Sequence, residues 1–205
     1  MSNDWTPEIE RLLQSWSEKA SGWRWLHSRS EKKFKFQYYS FSIPIIILST
    51  LSGVANAGVD SFIKPEQKSL VSAIIGGVNI FCGILGTLQT FLKVSELYEA
   101  HRIASISWGK FCRNISIELK LHPEKRTIAI DFLKISRAEY DRLIEQSPTI
   151  TDTIIKQFNK KFEGKYEISM PSVVNGLEQC EIYKKELGEL EYIPGPIPQF
   201  DKNGP

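Results

Sequence analysis

Two long stretches without a charged side chain constrain this chain more than any other feature. Residues 36–59 and 69–92 each run for 24 residues without Asp, Glu, Lys or Arg. A helix of that length, at about 1.5 Å per residue, reaches roughly 36 Å, which is enough to cross a bilayer core of about 30 Å. The polar linker 60–68 joins the two stretches. The pattern therefore predicts a transmembrane hairpin.

The chain before the hairpin is polar, and its apolar residues recur at helical spacing. From Ile9 to Leu26 they lie three or four residues apart, which predicts an amphipathic helix that begins at Thr6 and Pro7. This helix has two interpretations: it packs on the rest of the cytoplasmic part, or it lies on the membrane as a lipid-sensing collar. Its continuous apolar stripe favours packing.

Helical spacing also continues after the second span. We expect one long helix to leave the membrane, followed by a helix over 127–146 and a short basic helix over 150–162, capped near Thr151 or Asp152. The predicted apolar faces of the first two helices are Leu97, His101, Ala104, Trp108, Phe111 and Ile115, and then Ile128, Phe132, Ile135, Tyr140, Leu143 and Ile144.

These segments together predict an all-α membrane protein, a homo-oligomer built from a two-helix transmembrane hairpin with long amphipathic cytoplasmic helices. The predicted domains are an N-terminal amphipathic helix (1–35), the transmembrane hairpin (36–92, with spans 36–59 and 69–92), a cytoplasmic helical domain (93–162) and a partly disordered C-terminal extension (163–205).

Positive charges near the spans predict the orientation of the hairpin. Nine Lys and Arg residues lie on the two outer flanks and only two in the linker, and such residues accumulate on the cytoplasmic side. We therefore expect an integral membrane protein with both termini in the cytoplasm. The outer residues are Arg24, Arg29, Lys32, Lys33, Lys35, Lys93, Arg102, Lys110 and Arg113, and the linker residues are Lys64 and Lys68.

Small and polar residues form a stripe along the second span. They recur at alternating spacings of three and four residues, and the stripe consists of Ser69, Ser72, Gly76, Asn79, Gly83, Gly86 and Thr90. Such a stripe has two interpretations. It allows close packing between membrane helices, or it lines a water-filled path in an oligomer, where Asn79 of each subunit would form a ring. We take these seven residues as the candidate pore lining.

Basic and aromatic residues precede the first span. Lysine side chains and aromatic rings are typical of the headgroup region of a bilayer. The predicted interface anchor consists of Lys33, Phe34, Lys35, Phe36, Tyr38 and Tyr39.

The sequence offers no cluster of residues for catalysis. Three cysteines and three histidines are scattered along the chain, so that no metal site, disulfide framework or cofactor site is indicated. The basic, aromatic run 156–165 could bind acidic lipid or nucleic acid, but a solvated helix face is the commoner explanation. We expect no enzyme, no cofactor and no nucleic-acid partner.

Three segments resemble the SLATT group of two-transmembrane proteins, in its viral and eukaryotic branch, over about residues 8–160. The resemblance implies a membrane effector that forms oligomeric pores in response to a cytoplasmic signal, without a catalytic site to transfer. The matching residues are Glu8, Leu12, Trp16 and Trp25-Leu26-His27; Ile43 to Thr50 with Gly53; and Arg142-Leu-Ile-Glu-Gln-Ser-Pro148.

Two functional hypotheses follow. The first is an oligomeric pore or ion channel lined mainly by the second span and gated from the cytoplasmic side, with the lipid bilayer, ions and further copies of the chain as partners. The alternative is a membrane-anchored scaffold that recruits partners through its cytoplasmic helices. In the scaffold, the stripe would serve only for packing.

Overall fold

A computed structural model describes residues 5–164 and 168–176, and every regular element in these ranges is a helix. Most of the predicted C-terminal extension, 163–205, lies outside the described residues. The helices are α1 (Pro7–Phe62), α2 (Pro65–Phe91), α3 (Val94–Lys120), α4 (Ala129–Gln146), α5 (Asp152–Phe162) and α6 (Ser172–Asn175), with a 3-10 turn at Pro123–Lys125.

Helix α1 joins the predicted amphipathic helix and the first span in one element of 56 residues. Its start is confirmed: Thr6 is the N-cap, its Oγ1 accepts from the backbone N–H of Ile9 at 3.4 Å, and Pro7 occupies the first helical position. Pro44 lies in the interior of this helix, where it has no N–H to donate. At about 1.5 Å per residue, α1 is roughly 84 Å long.

Helices α2 and α3 return antiparallel along α1 as a second arm. The sequence predicts an uninterrupted helix through this arm, and that prediction is wrong at Leu92 and Lys93, which separate α2 from α3. Lys93 adopts a left-handed conformation with φ of 48°, and its N–H bonds to Thr90 O at 3.1 Å. A left-handed residue ends an α-helix, and without glycine it costs about 1 kcal/mol.

The turn of the hairpin is shorter than the polar linker 60–68. Helix α1 continues to Phe62 and α2 begins at Pro65, so that only Ile63 and Lys64 are non-helical. Lys68 and Asp60 form an ion pair of 2.9 Å across this end. Polar residues therefore continue both helices beyond the uncharged stretches.

The N-terminal half of α1 packs with α3, α4 and α5, and we call this assembly the helical bundle. The predicted stripe of α1 is buried in part, with Leu13 in place of Leu12, and the predicted face of α3 is buried from His101 to Ile115. Packing on the bundle therefore accounts for this part of α1. The buried residues of the two clusters are Leu13, Ala20, Ala104, Trp108, Phe111, Ile115 and Leu143, and then Leu26, Ile150, Ile154 and Phe158.

The apolar face of α4 differs from the prediction. Ala129, Ser136 and Leu143 are its buried residues, and Phe132 and Tyr140 are half-buried. The three predicted isoleucines, Ile128, Ile135 and Ile144, are exposed instead. Isoleucines occur on more than one side of this helix, and its buried residues instead follow one another at intervals of seven.

Two helical segments are long and apolar enough to cross a membrane, one in α1 and one in the arm formed by α2 and α3. Only 11% of each apolar window is buried inside the protomer. The core helix of a soluble protein is mostly buried, whereas these two segments leave their apolar side chains exposed.

Candidate functional site

The two apolar segments contact each other along a narrow ridge of α2, and hydrogen bonds between side chains join α1 and α2 at two positions along it. Ile75 and Cys82 of α2 are buried against α1. Ser52 Oγ donates to Asn79 Oδ1 at 2.7 Å. Nearer the helical bundle, Gln89 Nε2 donates to Ser42 Oγ at 2.9 Å. Hydrogen bonds of this kind hold membrane helices together where no hydrophobic driving force acts between them.

The predicted pore-lining stripe lies beside this ridge, and of its seven residues only Asn79 bonds to α1. A Cβ atom added at any of its three glycines, Gly76, Gly83 or Gly86, would meet no atom within 4 Å. The two helices of one hairpin therefore do not need these glycines to approach each other. Of the seven residues, Ser69, Ser72, Asn79, Gly83 and Thr90 are exposed, and Gly76 and Gly86 are half-buried.

The third face of α2 is exposed and mostly apolar, as a lipid-facing surface would be, and its Thr87 satisfies its hydroxyl within the helix by donating to Gly83 O at 2.8 Å. One side of the helix therefore holds α1, another carries small and polar groups, and the third carries large apolar side chains. The residues of the third face are Leu70, Ile74, Ile80, Phe81, Ile84, Leu88 and Phe91.

Asn79 lies near the middle of the second apolar stretch and is the most polar residue of the stripe. Its Oδ1 is bonded to Ser52, but no described residue accepts a hydrogen bond from its amide nitrogen. Thr90, in contrast, satisfies its hydroxyl within α2 by donating to Gly86 O at 3.0 Å. Asn56 of α1, the other asparagine of the two uncharged stretches, is exposed.

The predicted interface anchor divides into two groups. Lys33 and Phe34 contact the helical bundle: Lys33 Nζ donates to Thr151 Oγ1 at 3.3 Å, and the ring of Phe34 stacks on His101 with centroids 5.3 Å apart. The other four residues point away from the bundle or lie at its edge. Lys35, Phe36 and Tyr39 are exposed, and Tyr38 is half-buried.

A buried histidine pair between α1 and α3 was not predicted from the sequence. Nδ1 of His27 lies 3.0 Å from Nδ1 of His101, and both side chains are fully buried. Trp23 stacks on His27, and Phe34 stacks on His101. The position of His101 on an apolar helical face was a signal for burial, but only the register of α1 against α3 reveals its partner.

Both histidines are held in the neutral form. Burial, and then repulsion from His101, lowers the pKa of His27 to about 3, and burial lowers the pKa of His101 to about 4. One Nδ1 donates to the other, so one ring has a free Nε2 acceptor and the other a free Nε2 donor. Neither Nε2 atom, nor Trp23 Nε1, has a hydrogen-bond partner among the described residues.

Within residues 5–164 and 168–176, no group of three or more His, Cys, Asp or Glu side chains could hold a metal ion. The histidine pair offers two nitrogen ligands, fewer than the three or four protein ligands of a typical zinc site.

Comparisons with protein-family models, with curated proteins and with solved structures found no match to this chain. The resemblance to the SLATT group stays a prediction from the sequence.

Proposed function

We propose that the protein is an integral membrane protein whose hairpins assemble into an oligomeric pore or ion channel lined mainly by α2. The observation that carries the proposal is the stripe of α2, in which, among the described residues, only Asn79 bonds to α1. It combines glycines with open space around them and an amide nitrogen without an acceptor at mid-span. In lipid such an amide group is costly unless it meets water or a neighbouring polar group.

The architecture supports a hairpin with both flanks on one side of the membrane. The N-terminal half of α1 packs along α3, as the Ser17–Cys112 and His27–His101 contacts illustrate. Two flanks that form one helical bundle cannot lie on opposite sides of a bilayer. The excess of Lys and Arg on these flanks then assigns that side to the cytoplasm.

A ring of hairpins with this stripe on the inside would create a path of modest selectivity. Asn79 and the serines Ser69 and Ser72 supply hydrogen-bonding groups to water, and the glycines widen the path. Neither apolar stretch contains a charged side chain. Charge selection inside the membrane is therefore weak, and a preference would arise from charges at the mouths, such as Lys93.

The test is single-channel recording of the purified protein in planar bilayers, with Asn79→Leu as the diagnostic variant. We expect discrete current steps that Asn79→Leu abolishes or reduces. Because this change also removes the bond to Ser52, the matched control is Ser52→Ala, which breaks the same bond from α1 and leaves the stripe intact. Equal currents from wild type and Asn79→Leu would contradict a path along this stripe.

The scaffold function remains the second candidate, and exposed isoleucines of the helical bundle favour it. Ile103, Ile106 and Ile117 lie on the side of α3 opposite its buried face, and each is about half exposed. An apolar row of this kind suits contact with another protein surface. If the scaffold interpretation is right, variants of this row lose partners or self-association, and no variant of α2 ever carries current.

A further inference from the structure

A basic cleft lies between α1 and α5 in the helical bundle. Its volume is about 420 Å³. The basic run on α5 was expected to be a solvated helix face, but one of its lysines turns into this cleft. The lining residues are Trp25, Ser28, Arg29 and Lys32 of α1 with Gln157 and Lys161 of α5.

Contacts with neighbouring side chains position Arg29 and Lys161 in the cleft without neutralising their charges. Arg29 Nε donates to Gln157 Oε1 at 2.8 Å, and Lys161 Nζ lies 5.4 Å from the ring centroid of Trp25. Arg29, Lys32 and Lys161 form no ion pair with a described residue, and no acidic side chain lines the cleft. Three like charges around one cavity repel each other, and a bound anion would remove that repulsion.

The cleft extends from about one to about three helical turns before the predicted start of the first span. Lys32 precedes residue 36 by about one helical turn, or roughly 6 Å along the axis. The N-terminal end of α5 points the same way, because Thr151 bonds to Lys33. A cleft at this level would open towards the headgroups of the cytoplasmic leaflet, where basic pockets beside membrane helices hold anionic headgroups.

We propose that this cleft binds the multiply phosphorylated headgroup of an anionic lipid. More than one phosphate is expected because three unpaired cations converge on the cavity, and charge-assisted hydrogen bonds from Arg and Lys to phosphate oxygens are strong. Trp25 also lines the cavity and places an aromatic side chain beside these cations. The proposal rests on the proposed membrane insertion, since only an inserted hairpin brings the cleft to the headgroups.

Such a ligand would connect the helix that enters the membrane to the rest of the helical bundle. Arg29 and Lys32 belong to α1, whereas Lys161 belongs to α5. A headgroup held by both helices would fix α5 against the base of the first span. The lipid would thereby act on the part of the bundle nearest the hairpin.

The test measures binding of a short-chain phosphatidylinositol bisphosphate to the full-length protein in detergent micelles. We expect saturable binding that Lys32→Gln combined with Lys161→Gln weakens by about tenfold or more, because two of the three cations that line the cavity lose their charge-assisted hydrogen bonds to phosphate oxygens. The matched control is Lys156→Gln combined with Lys160→Gln, which removes the same charge from α5 outside the cleft. The control should bind within about twofold of wild type.

Two results would overturn the proposal. Equal weakening by both double variants would mean that total charge, and not the cleft, attracts the lipid. Equal affinity for free inositol trisphosphate would mean that the cleft binds a soluble polyphosphate, because the acyl chains of the lipid would then contribute nothing to the affinity. Lipid binding in micelles is measured without any current. A bilayer recording that shows no channel would therefore contradict the pore and not the lipid site.

Discussion

His27 and His101 replace a stretch of apolar packing between α1 and α3 with one buried hydrogen bond. Their rings continue an aromatic column that runs from Trp108 through Trp23 and ends at Phe34. Stacking stabilises neutral rings on both sides of the pair. Protonation of either ring would bury a positive charge, and protonation of both would place two positive charges 3.0 Å apart. Protonation therefore destabilises the pair.

This pair predicts acid-sensitive stability of the helical bundle. Unfolded histidine has a pKa near 6.5, whereas the folded pKa values are about 3 for His27 and about 4 for His101. Between these values the unfolded chain binds more protons, so the free energy of unfolding falls as pH drops from 6.5 towards 4. The slope approaches about 1.4 kcal/mol per pH unit for each histidine.

Unfolding of the detergent-solubilised protein between pH 6.5 and 5 would measure this slope before most carboxylates titrate. His27→Gln combined with His101→Gln should flatten the profile, because the amides do not ionise. His122→Gln is the control, since it removes a histidine that lies outside the buried pair, with a side chain that is 67% exposed. An equally steep profile in the double variant would contradict the assignment.

At the scale of helices, a close approach between α1 and the segment after α5 depends on Gly22. A Cβ at Gly22 would lie 2.6 Å from ring atoms of Pro171, which is itself buried. At Gly109 of α3, a Cβ would meet only the flexible side chain of Arg24, at 3.2 Å. The two glycines occupy similar helical surroundings but differ in what they touch.

We therefore expect opposite effects of alanine at these two positions. Gly22→Ala should lower the free energy of unfolding by about 1–2 kcal/mol, because overpacking against a rigid ring outweighs the better helix propensity of alanine. Gly109→Ala should leave stability unchanged or raise it by up to about 1 kcal/mol. Thermal unfolding of both variants distinguishes them, and a stabilised Gly22→Ala would show that the Pro171 segment moves aside freely.

The helices also show which local features a sequence reveals. The start of α1 was predictable because Thr6 and Pro7 are local signals, and the buried face of α3 was predictable because its spacing is regular. The break at Lys93 was not, since no glycine or proline marks it. The face of α4 was misjudged because isoleucines occur on more than one side of it, and the basic cleft needed the crossing of α1 and α5. Pairings between distant residues follow from helix register, which spacing along one helix does not contain.

For the whole molecule, the protomer leaves a long apolar hairpin, and among the described residues only Asn79 of the polar stripe bonds to α1. The helical bundle closes its core within one chain, with Trp108 and Leu13 fully buried. The hairpin has no comparable core, since 11% of each apolar window is buried. Lipid would cover its large apolar face, but the small and polar stripe suits a second helix or water. We therefore expect the stripe to face the water-filled path of the proposed pore, whereas in the scaffold it would pack against a second helix.

Leucine at Gly83 or at Gly77 tests this expectation at the scale of the assembly. Both glycines lie in α2 and neither has an atom within 4 Å of an added Cβ, so the protomer should tolerate either change. Only Gly83 belongs to the stripe, where a leucine would narrow the water-filled path of the proposed pore. Gly83→Leu should therefore keep the wild-type mass in light scattering coupled to size-exclusion chromatography but carry less current than the wild type, while Gly77→Leu matches the wild type in both measurements. If Gly83→Leu instead shifted the protein to smaller species, the stripe would be a packing surface between subunits, as in the scaffold.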